Sequence, residues 1–287
     1  MSTLLESAKK IRKNFGEGGL SSPIRDFSIS RNGDLAAGFL SYNLHAWDLK
    51  AGKLLFIGPI SHGIYREALK PIFTSDGKYI AMAVRFDEGA DESPVDLRGC
   101  HVAIWNLSTL KKTDFEVDID VEVSKFEGQK YLNSISLSQD ERQLLVVGDN
   151  AVGIWDVVTG KNTSKISYRE VFGSADGKFS CSTFAPDNRS IAVANKDGVI
   201  KIWDTRNRQE LQTLGRIGKT GITDITYSPD GSLIAVAEIS AISILDAKTG
   251  KKLLFKSENR KEVIYVKFLA NGERLLIAFY NEATGHA

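Results

Sequence analysis

At 287 residues the chain is long enough for one large core or two modest ones, and 37 Lys plus Arg against 36 Asp plus Glu leave a net charge of +1. No global field therefore draws it to nucleic acid or to an anionic membrane. Apolar residues at 42% and charged residues at 25% are an ordinary globular balance, and the longest apolar runs fall well short of the roughly 20 residues a membrane-spanning helix needs.

The N-terminus places Leu4-Leu5 ahead of Lys9, Lys10, Arg12 and Lys13, the reverse of a secretory signal. Residues 1–23 read as a separate N-terminal segment with two conformations open. Thr3-Leu4-Leu5-Glu6 fits a helix capping box, with Leu4, Leu5, Ala8, Ile11 and Phe15 on one helical face. Lys10 to Phe15 equally has the spacing of an outer strand that precedes the next repeat. The basic cluster reads as a solvated face. Cys100 and Cys181 are the only cysteines; they lack metal-ligand spacing and read as buried thiols in a reducing compartment.

From residue 24 onward one plan recurs. An alternating strand runs into a tight turn, a second strand rich in Ala, Ile and Val follows, then a strand ending in Trp and an acid, then a fourth strand. Asp197 to Asp204 states the third strand most fully: an Asp-Gly turn followed by Val199, Ile200, Ile202 and Trp203 and closed by an acid. Weaker copies lie at 45–48, 102–106, 152–156 and 242–246. The turns between first and second strands are Asn32-Gly33, Asp76-Gly77, Asp140-Glu141, Asp187-Asn188, Asp230-Gly231 and Asn271-Gly272, spaced 44, 64, 47, 43 and 41 residues apart. The last three spacings fall in or near the class of four-stranded propeller repeats. Such a sheet cannot cover both its faces alone, so neighbouring sheets bury one another. Trp47, Trp105, Trp155 and Trp203 are expected to fill the space between sheets.

The best-formed repeat, Phe184-Ala-Pro-Asp-Asn-Arg-Ser-Ile-Ala-Val-Ala-Asn-Lys-Asp-Gly-Val-Ile-Lys-Ile-Trp-Asp204, resembles the WD-repeat (WD40) β-propeller family. With its weaker copies the likeness runs over roughly residues 20–280. The resemblance implies an all-β fold: a β-propeller of four-stranded antiparallel blades over residues 24–287, with six recognisable repeats in a six-bladed or an incomplete seven-bladed ring. Residues 10–15 would then supply a ring-closing outer strand. Two departures stand out. The fifth repeat replaces Trp with Leu245, and the family's Gly-His pair before each first strand is missing. The His–Asp–Ser–Trp hydrogen-bond network of the family is therefore expected to be incomplete. Asp197 sits in the family's turn position, with a structural hydrogen-bonding role expected of it.

Loop length accumulates on one side. The first-to-second and third-to-fourth turns are short, whereas the connections 58–70, 86–99, 124–130, 168–178 and 215–221 are long. In a propeller these two sets lie on opposite faces, and loops on a rigid scaffold concentrate binding residues. The residues singled out as partner-binding are His62, Tyr65 and Arg66 in one loop, Phe172 in another, and Asp91 and Glu92 in an acidic loop. From 114 to 123 five acids alternate with five apolar residues, the pattern of an outermost strand whose charges discourage aggregation.

Catalytic patterns are absent. The four histidines, His45, His62, His101 and His286, are scattered, with no zinc spacing and no nucleophile elbow. The 172–178 stretch lacks the ending of a phosphate loop and reads as a turn. The expected function is a non-catalytic, cytoplasmic scaffold or adaptor, with the nucleus left open. It would bind a protein or peptide on its long-loop face, without metal or cofactor and without direct nucleic-acid or membrane binding. The alternatives are a propeller enzyme with a site at the channel mouth, or a sensor module of a longer receptor-like protein.

Overall fold

A computed structural model describes residues 25–30, 33–40, 43–59, 65–68, 71–74, 77–86, 99–107, 109, 111–117, 132–157, 159, 161–217, 221–257, 262–269 and 272–280. The N-terminal segment 1–23 lies outside them. The chain divides into two compact units, Met1–Glu116 and Val117–Ala287.

In the first unit, β1 (Arg25–Ile29), β2 (Leu35–Leu40), β3 (Asn43–Asp48) and β4 (Lys53–Pro59) form a four-stranded sheet in chain order. The next sheet holds β5 (Tyr65–Ala68), β6 (Ile72–Phe73), β7 (Tyr79–Phe86), β8 (Gly99–Asn106) and β9 (Lys111–Val117). Here β5 and β6 share the edge of the long β7, pairing with Val84–Phe86 and Ile80–Ala81 in turn. Both therefore hold the first-strand position of this sheet, and Pro71, which has no N–H to give a ladder, directly precedes β6. This corrects the reading of 58–70 as a loop, because Tyr65 and Arg66 open a strand. The core joins Leu44 and Ala46 to Phe73, Ile80, Met82 and Trp105.

The second unit has three complete sheets and a pair. They are β10 (Leu132–Leu137) to β13 (Asn162–Ser167), β14 (Phe179–Phe184) to β17 (Gln209–Arg216), β18 (Ile222–Tyr227) to β21 (Lys252–Ser257), and the two-stranded β22 (Glu262–Phe268) and β23 (Leu275–Tyr280). The intervening strands are β11 (Gln143–Gly148), β12 (Ala151–Asp156), β15 (Ser190–Asn195), β16 (Val199–Asp204), β19 (Leu233–Glu238) and β20 (Ala241–Asp246). Every pairing within the sheets is antiparallel, so the chain is all-β with repeated four-stranded sheets apart from one short helix among the described residues.

Two local devices explain the repeat. The second residue of each first-to-second turn lies in the left-handed region: Gly33, Gly77, Glu141, Asn188, Gly231 and Gly272 have φ between 56° and 77°. A tight hairpin needs such a residue, which is why Gly or Asn recurs there. The acid or amide ending each third strand caps the turn that follows. Asp48 accepts from the Ala51 N–H, Asn106 from Thr109, Asp156 from Thr159, Asp204 from Asn207 and Asp246 from Thr249, at 2.7–3.1 Å. The Trp-acid pair thus has two separate jobs, a packing residue followed by a turn cap.

All four Trp side chains are buried as expected: Trp47, Trp105, Trp155 and Trp203 are at most 8% exposed. Trp155 lies across Gly153, where an added Cβ would fall 2.0 Å from the ring. The inner strands are latched to one another by side chains. Ser134 Oγ on β10 accepts from the Ser182 N–H on β14 at 3.1 Å, and Asp224 Oδ2 on β18 accepts from the Val266 N–H on β22 at 3.0 Å. Both bonds are buried, where an unmet N–H would be costly.

Candidate interaction surface

The second unit carries the best-defined surface, around the connection from β13 to β14. The sequence predicts a loop at 168–178, but the connection begins with a short helix, α1 (Tyr168–Phe172). Ser167 and Glu170 form a reciprocal capping box, with the Ser167 N–H donating to Glu170 Oε2 at 2.9 Å, and Gly173 ends the helix in the left-handed conformation. Ser167-Tyr-Arg-Glu170 is the sequence signature of this cap.

The helix sets an aromatic base under the connection. Tyr168 stacks on Phe172 at 4.7 Å between centroids and meets Phe179 edge-on at 5.0 Å, while Phe172 meets Phe179 at 5.8 Å. Phe172 is half-buried in this cluster, with Lys201 Nζ 5.6 Å from its ring centre. Much of its surface is thus committed to packing.

Tyr168 reaches further. Its hydroxyl accepts a hydrogen bond from Asn195 Nδ2 at 2.9 Å, and Asn195 Oδ1 in turn accepts from the N–H groups of Asp197 and Val199 at 3.1 and 2.9 Å. Asp197 enters this network through its backbone, and its side chain is exposed. Asn195 is the side chain that holds the turn. Trp203 Nε1 is buried with no hydrogen-bond partner among the described residues. A Tyr–Asn pair thus fixes this turn, joining residues 27 positions apart in the chain.

Beside this lies a charged cluster from three connections. Asp149, buried between β11 and β12, accepts from Lys178 Nζ at 2.8 Å and Asn133 Nδ2 at 3.1 Å, with Lys196 Nζ at 3.5 Å. Burial alone would push its carboxyl up. The bonds from Lys178 and Asn133 and the charge of Lys196 outweigh that and hold it below the usual carboxylate value. Lys178 and Lys196 are half-exposed, pinned at one end and open to solvent at the other. At the rim Arg208 pairs with Glu170, so the turn between β16 and β17 is tied to α1.

Tyr65 and Arg66 lie on β5 in the first unit. His62, Asp91 and Glu92 lie outside the described residues, as does the 118–123 part of the acidic alternation, whose start falls on β9, an edge strand as expected. Among the described residues no group of three or more His, Cys, Asp or Glu could hold a metal ion, and no helix is long and apolar enough to cross a membrane.

Comparison with known proteins bears on the same region. The family model described as "WD domain, G-beta repeat" matches residues 167–204, the span from the cap of α1 to the end of β16. A guanine nucleotide-binding protein subunit beta from Nicotiana plumbaginifolia is 25% identical over 154 residues, 53% of this chain and 40% of its own length. Residues 167–204 therefore carry a WD repeat. Two further relatives extend the likeness. The small ribosomal subunit protein RACK1 of Candida albicans is 30% identical over 111 residues, 36% of this chain and 34% of its own length. WD repeat-containing protein 1 of Bos taurus is 26% identical over 215 residues, 60% of this chain and 34% of its own length. The chain thus spans between about a third and two fifths of the length of these relatives.

Proposed function

We propose that this WD-repeat chain is a non-catalytic scaffold of the β-propeller kind that binds a protein or peptide partner. The binding side is the one formed by the second-to-third and fourth-to-first connections. The observation that carries the reading is the convergence of three such connections on Asp149. They leave two anchored, half-exposed lysines, Lys178 and Lys196, beside the exposed carboxylate of Asp197. Fixed charges over a rigid aromatic base are suited to recognition, because little side-chain freedom is lost on binding. The reading also places Tyr65, Arg66, His62, Asp91, Glu92 and the open part of Phe172 on the partner-binding side, and the chain in the cytoplasm within a larger complex. Relatives named as a G-protein subunit and as a ribosomal subunit protein, each part of an assembly by name, support an adaptor role.

The test is affinity capture from a cytoplasmic extract with wild type beside two variants, Lys178→Glu with Lys196→Glu, and Tyr65→Ala. Loss of a specific, salt-sensitive partner in the first variant, with unchanged far-UV circular dichroism, is the expected result. Identical capture profiles for all three chains would overturn the placement of the binding side.

A further inference from the structure

Two outer strands share a segment whose leucines the packing leaves exposed, although Phe56 on β4 packs against the core of the first unit. Gly52-Lys-Leu-Leu-Phe56 opens β4 and Gly250-Lys-Lys-Leu-Leu-Phe255 opens β21, each after a glycine in the left-handed region. Each strand is the last of its sheet, so one row of backbone N–H and C=O groups along 252–255 and along β4 faces no other described strand. On β21 every residue is exposed, including Leu253, Leu254 and Phe255. On β4 the same holds for Leu54, Leu55 and Ile57, and these six side chains are 45–56% exposed. The outer strands β13 and β17 differ, since each buries an apolar residue, Ile166 and Leu214.

An apolar edge of this kind is a template for another strand. The charges decide which strand. Lys251, Lys252 and Lys256 flank the apolar centre of β21, and Lys53 precedes that of β4, where Lys50 is already paired with Asp34 at 2.8 Å; no acid lies from 249 to 257 or from 49 to 59. Lysine on both edges sets like charge against like charge when copies of the chain meet, while leaving main-chain pairing open to a strand of opposite sign. We propose that β21, with β4 as its counterpart in the other unit, is a strand-addition edge for an extended peptide whose apolar centre is flanked by carboxylates. Main-chain bonds supply the affinity, the exposed leucines receive alternate apolar side chains, and the lysines select the sign. This edge is separate from the Asp149 surface and leaves Lys178 and Lys196 untouched.

The full chain is mixed with the peptide Asp-Glu-Val-Thr-Val-Thr-Val-Glu-Asp, or with its counterpart carrying Lys at each acid. Binding is read by anisotropy, and the site by amide hydrogen exchange over residues 252–257. The acidic peptide is expected to bind in a salt-sensitive manner and slow exchange on β21, and the basic one to do neither. In Lys251→Glu with Lys256→Glu the acidic peptide should lose at least tenfold in affinity for β21 while the basic peptide gains protection there. That reversal cannot come from misfolding. No protection by the acidic peptide, or protection unchanged by the reversal, overturns the proposal. So does finding β21 amides fully protected without peptide, the sign of cover by the chain itself, or a dimer that Leu254→Asp dissociates, the sign of cover by a second copy.

Discussion

Gly177 leaves no room for a side chain: a Cβ there would lie 2.2 Å from the Tyr168 ring and hydroxyl. Gly177→Ala must push the ring off Phe179 and break the bond to Asn195, a loss we expect to reach about 1–3 kcal/mol in urea unfolding. Tyr168→Phe removes only the hydroxyl and leaves Asn195 Nδ2 unmet, with an expected cost of about 1 kcal/mol. A second prediction concerns acid. Asp230 accepts from Ser228 Oγ at 2.6 Å and Ser232 Oγ at 2.8 Å, and these bonds with the Ser232 N–H lower its carboxyl to about 2. A depressed folded value means the contribution is present above the unfolded value of about 4 and is lost as pH falls toward 2. Carboxyl-detected NMR titration should place the Asp230 midpoint about two units below that of a free aspartate. A midpoint near 4 would sink this account of the turn.

At the scale of the element, the turns were the most legible part of the sequence. All six pairs named from spacing alone carry a positive φ at their second residue, although Glu141 and Asn188 pay steric strain that Gly does not. Replacing Glu141 with Gly should therefore raise stability by about 0.5–1 kcal/mol, the relief of strain exceeding the entropy that Gly loses. The Trp-acid strands were equally legible, because burial of a large ring and capping of a turn both act within one hairpin. What escaped the sequence acts between strands far apart in the chain. Nothing near Asp149 announces Lys178 or Lys196, and nothing near Tyr168 announces Asn195. The first strand of the second sheet is hidden in the same way, because β5 and β6 are short and find their partner only in β7. The latch at Asp224 belongs to the same class. Asp224→Ala strands the buried Val266 N–H and should cost about 1–3 kcal/mol, whereas Asp224→Asn keeps an acceptor and should cost less. Equal losses would show that the carboxylate's charge, and not its bond to β22, is what counts. The nearby Tyr265 phenol is raised first by burial and then by this carboxylate, so it stays protonated throughout such an experiment.

For the whole molecule, the three complete sheets of the second unit share buried cores that run from one sheet to the next, through Phe184 and Trp203 and again through Ile222 and Leu245. The two-stranded β22–β23 sheet is buried chiefly along β22, while Leu275 to Ile277 on β23 remain half-exposed. Hydrogen exchange followed by mass spectrometry should accordingly rank β11, β15 and β19 as the slowest elements and β23 among the fastest. Comparable protection on β23 would mean that something outside the described strands covers it. The family and the repeated sheets follow from the sequence because each repeat carries its own signals. Blade number and ring closure do not, since they depend on how the first and last repeats meet, and no local pattern encodes that.

In each four-stranded sheet the strands are bonded in the order in which they are made. Each new strand needs only the preceding one and a turn of a few residues, so little loop-closure entropy is lost at each step. During synthesis a sheet can form hairpin by hairpin as the chain leaves the ribosome, without waiting for distant sequence to arrive. The latches at Ser134 and Asp224 act later, joining one finished sheet to the next in the direction of translation. Growth of the chain and growth of its core therefore run along the same axis.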